Sequence, residues 1–125
     1  MNIPADLLYT DEHEWVNIKG NVATVGITDF AQGELGDIVF IEFPELNSVF
    51  EKDQSAGTIE AVKTVADLYM PLSGNVIAVN ENLDNNPEAV NDTPYDDGWI
   101  IKIEIAKQDE IGDLLTARAY ENLIS

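Results

Sequence analysis

The sequence predicts a mainly β fold, in which short strands form a sandwich or a barrel around one core. Apolar and polar residues alternate through much of the stretch from Glu14 to Ile105, which is typical of half-buried strands. Turn residues such as the pair Ser73-Gly74 separate the alternating runs. The length of 125 residues and the hydrophobic content of 45% suit one globular domain. We therefore expect a single domain that spans residues 1–125.

Six runs of residues carry this alternation, and we expect each to form one short strand. Pro44, Pro71 and Pro94 fall where strand edges or turns tolerate proline. In chain order, the runs are "NVATVGI" (21–27), "DIVFIEF" (37–43), "AGTIEAV" (56–62), "ADLYMPL" (66–72), "GNVIAVN" (74–80) and "GWIIKIEI" (98–105).

Two segments interrupt the β pattern and are expected to be helical. A short helix is predicted over residues 28–35, with Thr28 or Asp29 as its N-cap and Gly36 as its stop. Residues 108–124 are predicted to form a C-terminal amphipathic helix that covers the open face of a sheet. Its apolar residues recur near helical spacing behind an acidic first turn: Ile111, Leu114, Leu115, Ala119 and Leu123.

The chain is strongly acidic, with 24 acidic and 6 basic side chains and a formal net charge of −18. Nucleic acids and anionic membranes bind clustered Lys and Arg, so this charge argues against both as partners. Proteins with basic faces are the expected partners, although such a charge also favours solubility by itself. Cysteine is absent, which excludes disulfides, thiol nucleophiles and thiolate metal sites.

No targeting or membrane segment is apparent in the sequence. No apolar run reaches the ~18 residues of a membrane span. The N-terminal residues "MNIPADLLYTDEHEW" lack the basic, apolar and small-residue order of a signal peptide. We therefore expect a soluble, cytoplasmic protein of bacterial type, without a signal or transit peptide.

Lys63 is one of five lysines and lies between two residues of high β propensity, Val62 and Thr64. The strands expected at 56–62 and 66–72 would place it at the tip of a hairpin, on a rigid and exposed turn. A protonated lysine is a poor nucleophile, so an unmodified lysine there would act only as a solvated turn residue.

His13 is the only histidine, and "EHEW" surrounds it with carboxylates. A general base is one interpretation, but no nucleophile is evident, so a structural role is favoured. A metal site built from Asp11, Glu12, His13 and Glu14 would resemble a weak surface cation site more than a zinc centre. The segment 80–99 is rich in Asn and Asp but lacks the order of a calcium-binding EF-hand loop, so turns explain it better.

Four blocks of the chain together resemble the H-protein family of the glycine cleavage system, over almost the full length. The resemblance implies a flattened barrel or sandwich of two antiparallel sheets, a hybrid like the lipoyl and biotinyl carrier domains. It also implies that one lysine on a hairpin tip carries lipoate in amide linkage, and its place in "EAVK" makes this Lys63. The blocks are "YTDEHEWV" (9–16), "VGITDFAQGELGDIVFIEFP" (25–44), "EAVKTVADLYMPLSGNVIAVNENL" (60–83) and "PEAVNDTPYDDGWIIKI" (87–103).

The resemblance implies roles for four further residues. Glu60 and Gly74 occupy positions that the family uses for recognition by lipoate-attaching enzymes. Glu14 and Asp67 match positions that the family places beside the parked arm. Family members often carry a different residue at the position of Glu34, which we add as a third expected contact in the cleft. Carboxylates in such a cleft would hold the amine carried on the arm by charge-assisted hydrogen bonds.

Two positions depart from the family pattern. Position 61 is usually Ser and is Ala here, which removes a hydroxyl but keeps a small side chain. Asp96 stands where the family commonly has Gly in its "PYGxGW" segment, which bears on turn geometry. Biotin carriers place their lysine between two methionines, whereas Val62 and Thr64 flank Lys63, which favours a lipoyl carrier.

The resemblance implies a carrier and not an enzyme. The carrier would shuttle the aminomethyl group of glycine from a pyridoxal-phosphate glycine decarboxylase to a tetrahydrofolate-dependent aminomethyltransferase, and electrons to dihydrolipoamide dehydrogenase. Two alternatives stay open at this point. One is a lipoyl acceptor that relays lipoyl groups in lipoate metabolism, and the other is an unmodified β domain that binds a protein.

Overall fold

A computed structural model describes all residues from 1 to 125 and contains nine strands in two antiparallel sheets. The strands are β1 (Leu8–Tyr9), β2 (Glu14–Lys19), β3 (Val22–Ile27), β4 (Ile38–Glu42), β5 (Val49–Phe50), β6 (Ser55–Ala61), β7 (Val65–Tyr69), β8 (Gly74–Val79) and β9 (Ile101–Ile105). One sheet has six strands in the order β1-β2-β3-β9-β8-β5, and the other has three in the order β4-β6-β7. This architecture confirms the predicted fold class.

The core lies between the two sheets and is made by the inward residues of their alternating strands. Ile59 and Leu68 come from the three-stranded sheet, and Val25, Ile101 and Ile103 come from the six-stranded sheet. Each is nearly fully buried, and burying such a side chain contributes roughly 1.5–3 kcal/mol. The three-stranded sheet is thereby fixed with one face against the core and the other toward solvent.

All six predicted strands are present, with small shifts at their ends, and three further strands lie outside the predicted runs. Strands β1 and β5 contain two residues each, which is too short to show an alternating pattern. Strand β2 begins with three consecutive buried residues, so its first half does not alternate. The predicted run 98–105 forms a strand only from Ile101, because Trp99 N–H closes a turn on Asp96 O.

The helix predicted near residue 28 is confirmed as α1 (Asp29–Leu35). Thr28 is its N-cap, and the Oγ1 of Thr28 accepts a hydrogen bond from Ala31 N–H at 3.2 Å. Gly36 ends the helix with a φ of 80°, in the left-handed region that favours glycine. A second helix, α2 (Ala89–Asp92), and a 3-10 turn (Glu81–Asp84) lie in the Asn-rich segment, where only turns were expected.

The helix predicted over residues 108–124 is wrong in its first half. Residues Gln108–Asp113 form a 3-10 helix, and the α-helix, α3, covers only Ala117–Ile124. Between them Leu115 is extended, because its N–H and C=O exchange hydrogen bonds of 2.7 and 2.8 Å with Tyr9. The buried residue of α3, Tyr120, stacks on Tyr9 with ring centroids 4.8 Å apart. The helix therefore packs at the β1 edge and does not cover an open sheet face. None of the helices has the length and apolar content needed to cross a membrane.

Candidate functional site

The hairpin of β6 and β7 presents Lys63 at a tip of three residues, as the sequence predicted. Ala61 N–H donates to Thr64 O at 2.8 Å, which closes the turn. Val62 N–H donates to Asp37 O at 3.0 Å, which ties the tip to the start of β4. Lys63 itself is exposed. The ion pair in the structure joins Lys52 to Asp113 and does not involve Lys63. The structure thus holds the backbone of the tip in place and leaves the ε-amine accessible.

A cleft of about 570 Å³ lies beside the hairpin, between β7, α1 and the start of β2. Three acids predicted to lie together, Glu14, Glu34 and Asp67, all line this cleft. Most of the lining residues are apolar, and Val65, two residues after Lys63, is one of them. The other apolar lining residues are Ile27, Phe30, Ala31, Leu35, Ile59 and Ala66.

Glu14 is the buried acid of the cleft, with a relative exposure of 2%. Thr10 Oγ1 donates to Glu14 Oε1 at 2.5 Å, and Tyr69 N–H donates to Glu14 Oε2 at 3.3 Å. Burial raises the pKa of Glu14 to about 8, and these two hydrogen bonds offset only part of that effect. Glu14 is therefore poised to gain or lose a proton near neutral pH.

Asp67 and Glu34 are exposed acids of the same cleft, and Glu12, also exposed, lines it as well. Asp67 lies on β7, where its two oxygens accept hydrogen bonds from Ser55 Oγ at 3.1 Å and from Tyr69 OH at 3.3 Å. Glu34 is on the last turn of α1, across the cleft from β7. The three predicted acids therefore combine one buried carboxyl group with two that are in contact with water.

His13 forms part of the cleft wall, and its contacts are those of a packed structural residue. Its Nδ1 lies 2.8 Å from Tyr120 OH, and its ring lies 5.0 Å from the ring of Phe30. Tyr120 OH also lies 2.7 Å from Thr28 Oγ1, so one hydroxyl joins α3, the cleft wall and the cap of α1. The structure brings no three His, Asp or Glu residues into a metal-binding group.

Thr10, Phe30 and Tyr69 belong to the cleft or contact its acids, and sequence reasoning did not select them. Thr10 contacts Glu14 through a local turn, and "TDEHE" does contain a Thr four residues before the acid. Phe30 and Tyr69 reach the cleft from elements that are distant in sequence, so no local pattern reports them.

Glu60 lies on β6 three residues before Lys63, half-buried, on the outer face of the three-stranded sheet. It is paired with Phe40 of β4 on one side and with Val65 of β7 on the other. A partner that approaches the hairpin tip from solvent can therefore contact its carboxylate.

Gly74 is not near the hairpin tip. Strand β7 leads away from Lys63 for about 13 Å at ~3.3 Å per residue, and Gly74 is the fifth residue after its end, in the six-stranded sheet. A Cβ at this position would overlap Glu104 O and would lie 2.5 Å from a side-chain carbon of Ile103. Close packing of β8 on β9 is thus the reason that the structure gives for a glycine here.

Replacing Gly74 by alanine should destabilise the fold by about 1–3 kcal/mol, because the added methyl group overlaps a strand backbone. Urea unfolding of the variant measures this change directly. Gly33→Ala is a matched control, since a Cβ at Gly33 meets nothing within 4 Å. A Gly74→Ala variant as stable as the wild-type chain would contradict the packing role and favour a role in recognition alone.

Known proteins resemble this chain over nearly its full length. The family model described as "Glycine cleavage H-protein" matches residues 7–125. The chain is 53% identical to a glycine cleavage system H protein of Anoxybacillus flavithermus over 125 residues, covering 100% of this chain and 98% of that protein. It is 50% identical to the H protein of Bacillus cereus over 123 residues, covering 98% of this chain and 97% of that one.

A solved structure is similar throughout the fold. The crystal structure of a glycine cleavage system H protein from Mycobacterium marinum superposes with a TM-score of 0.88 at 36% sequence identity, covering 96% of this chain and 97% of that one. The sequence match and the shared fold cover nearly the whole chain, so this protein belongs to the glycine cleavage H-protein family.

Proposed function

We propose that this protein is the lipoyl carrier of a glycine cleavage system, with lipoate attached to Lys63 as N6-lipoyllysine. It carries the aminomethyl group of glycine from the decarboxylase to the tetrahydrofolate-dependent aminomethyltransferase, and electrons to dihydrolipoamide dehydrogenase. The observation that carries this proposal is an exposed lysine on a hydrogen-bonded hairpin tip, in a chain of the H-protein family. The protein contributes a tether, a raised effective concentration and a docking surface, and no catalytic residue of its own.

The residues beside Lys63 fit a lipoyl group. A bound lipoyl group supplies a disulfide that can be opened to accept a one-carbon unit and closed again with release of two electrons. Its chain and dithiolane ring are apolar, and the lining of the cleft includes the apolar side chains of Phe30, Leu35 and Val65. The acids of the cleft suit a cationic end of the cargo.

Attachment uses the neutral ε-amine of Lys63. Its nitrogen attacks the carbonyl carbon of an activated lipoyl ester or adenylate, the new amide C–N bond forms, and the leaving group departs with the electron pair of the broken bond. The lysine gives up its protons to solvent or to a base of the attaching enzyme. The product loses one positive charge, so the formal net charge becomes one unit more negative than −18.

The acids of the cleft are proposed to hold a protonated amine that is delivered into it. Asp67 and Glu34 are exposed and offer carboxylate oxygens, and Glu14 offers a buried carboxyl group at the inner end. A cation beside Glu14 favours the charged form of that carboxyl group, so its arrival would release the proton held there. Hydrogen bonds to such a charged pair are each worth roughly 1.5–3 kcal/mol where water is partly excluded.

Intact-mass measurement tests the attachment. The chain is incubated with lipoate, ATP and a lipoate–protein ligase, and then digested to locate the modified residue. We expect a single lipoyl mass increment, located on the peptide that contains Lys63. A chain that stays unmodified, or one modified at another lysine, would contradict the proposal.

Replacing Glu60 by alanine should slow the attachment of lipoate at Lys63. We expect kcat/KM of the ligase to fall about tenfold, because the variant lacks an accessible acid near the tip that the enzyme can contact. Stability should change by less than about 1 kcal/mol at this half-buried strand position. Initial rates of mass increment measure the first effect. Glu104→Ala, an exposed acid on the six-stranded sheet, is the control. Equal rates for the Glu60 variant and the wild-type chain would refute the recognition role.

A further inference from the structure

The tip of the Lys63 hairpin is held by a hydrogen bond to another part of the chain. Val62 N–H donates to Asp37 O at 3.0 Å, and Asp37 lies in the short connection between α1 and β4. The other backbone hydrogen bond of the tip, from Ala61 N–H to Thr64 O, stays within the hairpin. The placement of the tip relative to the cleft therefore depends on what holds this connection.

One peptide group connects the tip to the side chain of Asn91. The peptide between Asp37 and Ile38 offers its C=O to Val62 N–H at 3.0 Å and its N–H to Asn91 Oδ1 at 2.9 Å. A trans peptide group is planar, and its N–H and C=O point in opposite directions. The tip and Asn91 therefore hold the same rigid group from opposite sides.

The amide of Asn91 uses all of its hydrogen-bonding directions around this connection. Its Nδ2 donates to Gly36 O at 2.8 Å and to Gln32 Oε1 at 3.0 Å. Gly36 O needs a donor and Ile38 N–H needs an acceptor, so the partners fix which way round the amide stands. A carboxylate of the same size would supply the acceptor and no donor.

Asn91 is anchored in the core, whereas the connection that it holds is not. Its neighbours on α2, Ala89 and Val90, are buried in the main core. None of the residues of α1 is buried, although α1 lines the cleft up to its last residue, Leu35. Elements with little buried surface open locally at low cost. Hydrogen bonds from Asn91 therefore fix the end of α1 and the hairpin tip to the core.

We propose that Asn91 is a positioning residue for Lys63, which holds the attachment point of the arm in a fixed place beside the cleft. This inference rests on the proposed function. Acyl transfer requires the ε-amine within attacking distance of an activated carbonyl carbon, and a displacement of about 1 Å can cost up to ~100-fold in rate. Asn91 does not line the cleft and lies on a separate element, so it acts through the peptide group that it binds.

Amide hydrogen exchange of the unmodified chain tests the positioning without a ligase or lipoate. In Asn91→Ala we expect the amide of Val62 to exchange about tenfold faster than in the wild-type chain, because its acceptor is no longer held. The amide of Ala61 should keep its rate, because its acceptor lies within the hairpin. A general loss of stability would speed both amides, so the ratio of the two rates isolates the positioning.

Acylation kinetics measure the consequence at Lys63. For Asn91→Ala with a lipoate–protein ligase, lipoate and ATP, we expect kcat to fall about tenfold and KM to stay within about twofold, since a misplaced amine slows the transfer itself. Asn91→Asp is the second variant, in case the alanine variant does not fold. It keeps the size of the side chain but has no donor for Gly36 O, so the exchange of Val62 and kcat should change in the same directions.

Gln32→Ala is the matched control. It removes the third partner of Asn91, on α1, and leaves the hydrogen bonds to Gly36 and Ile38 in place, so exchange and kcat should match the wild-type chain. Thr116→Ala loses the N-cap hydrogen bond of α3 and controls for a loss of overall stability. Thermal unfolding of each variant verifies that it is folded.

The possible results are distinguishable. Faster exchange of Val62 alone, together with a lower kcat, supports the positioning role. Unchanged exchange of Val62 in both Asn91 variants overturns it even if acylation is slow, because Asn91 would then act by touching the ligase. Faster exchange with an unchanged kcat overturns it as well, since the placement of the tip would not matter to the transfer. A wild-type chain that is never acylated contradicts the proposed function itself, which the other results leave standing.

Discussion

Replacing Lys63 by arginine should abolish lipoylation and glycine cleavage activity completely while the fold stays intact. The guanidinium group of arginine remains protonated and cannot form the lipoyl amide, so the carrier is left without its arm. The side chain of Lys63 is exposed and takes no part in an ion pair. The free energy of unfolding should therefore change by less than about 0.5 kcal/mol. A reconstituted system with decarboxylase, aminomethyltransferase and dihydrolipoamide dehydrogenase measures the activity, and intact mass measures the lipoylation.

Lys107→Arg is the matched control for this experiment, because Lys107 is also exposed and lies after β9, away from the hairpin. It should be lipoylated and should support turnover like the wild-type chain. Retained turnover with Lys63→Arg would show that the arm is attached elsewhere or is not needed, and the carrier assignment would fall.

The hairpin and its lysine could be predicted because their signals are local. Alternation in "AGTIEAV" and "ADLYMPL" places Ile59 and Leu68 inward, and a three-residue turn between the strands leaves Lys63 at the tip. The cap of α1 could be predicted for the same reason, since Thr28 bonds to a residue three positions later. In such segments each residue reports on its own neighbours in the chain.

The parts that were missed depend on contacts between distant residues. Leu114 and Leu115 fit a helical period. Leu115 is nevertheless extended, because it forms an antiparallel β-bridge with Tyr9, which lies more than a hundred residues earlier in the chain. We expected "DIVFIEF" to form a regular strand, yet a β-bulge in β4 exposes both Val39 and Phe40. Residue propensities cannot predict the β-bridge or the β-bulge, because each depends on pairing with a neighbouring strand.

The burial of Glu14 belongs to the same class. The sequence shows an acid between His13 and Trp15, in a run of other acids, which reads as a solvated loop. The structure instead covers this acid with β7, whose Tyr69 N–H donates to its carboxyl group. The role of an acid in the cleft was suggested by the resemblance, but its unusual protonation depends on desolvation, which no local pattern reports.

Replacing Glu14 by glutamine should therefore stabilise the protein at high pH and leave its stability nearly unchanged near pH 4. Burial raises the pKa of Glu14 in the folded protein to about 8, whereas the unfolded chain releases this proton near the ordinary value of 4.5. The folded state holds the proton between these values, so the contribution of Glu14 is fully present below pH 4.5. It is lost as the pH rises toward 8 and stays constant above that.

The size of the effect follows from the difference between the two pKa values. It amounts to at most about 5 kcal/mol, which glutamine, having no proton to lose, recovers at pH 9. Urea unfolding of both chains in steps from pH 4 to pH 9 measures it, and the difference in free energy of unfolding should grow through this range. Glu34→Gln, an exposed acid in the same cleft, should differ from the wild-type chain by less than about 0.5 kcal/mol at every pH. If the free energy of unfolding of Glu14→Gln and of the wild-type chain changed with pH in parallel, Glu14 would be charged in the folded protein. The cleft would then hold the cargo with a carboxylate that has no proton to release.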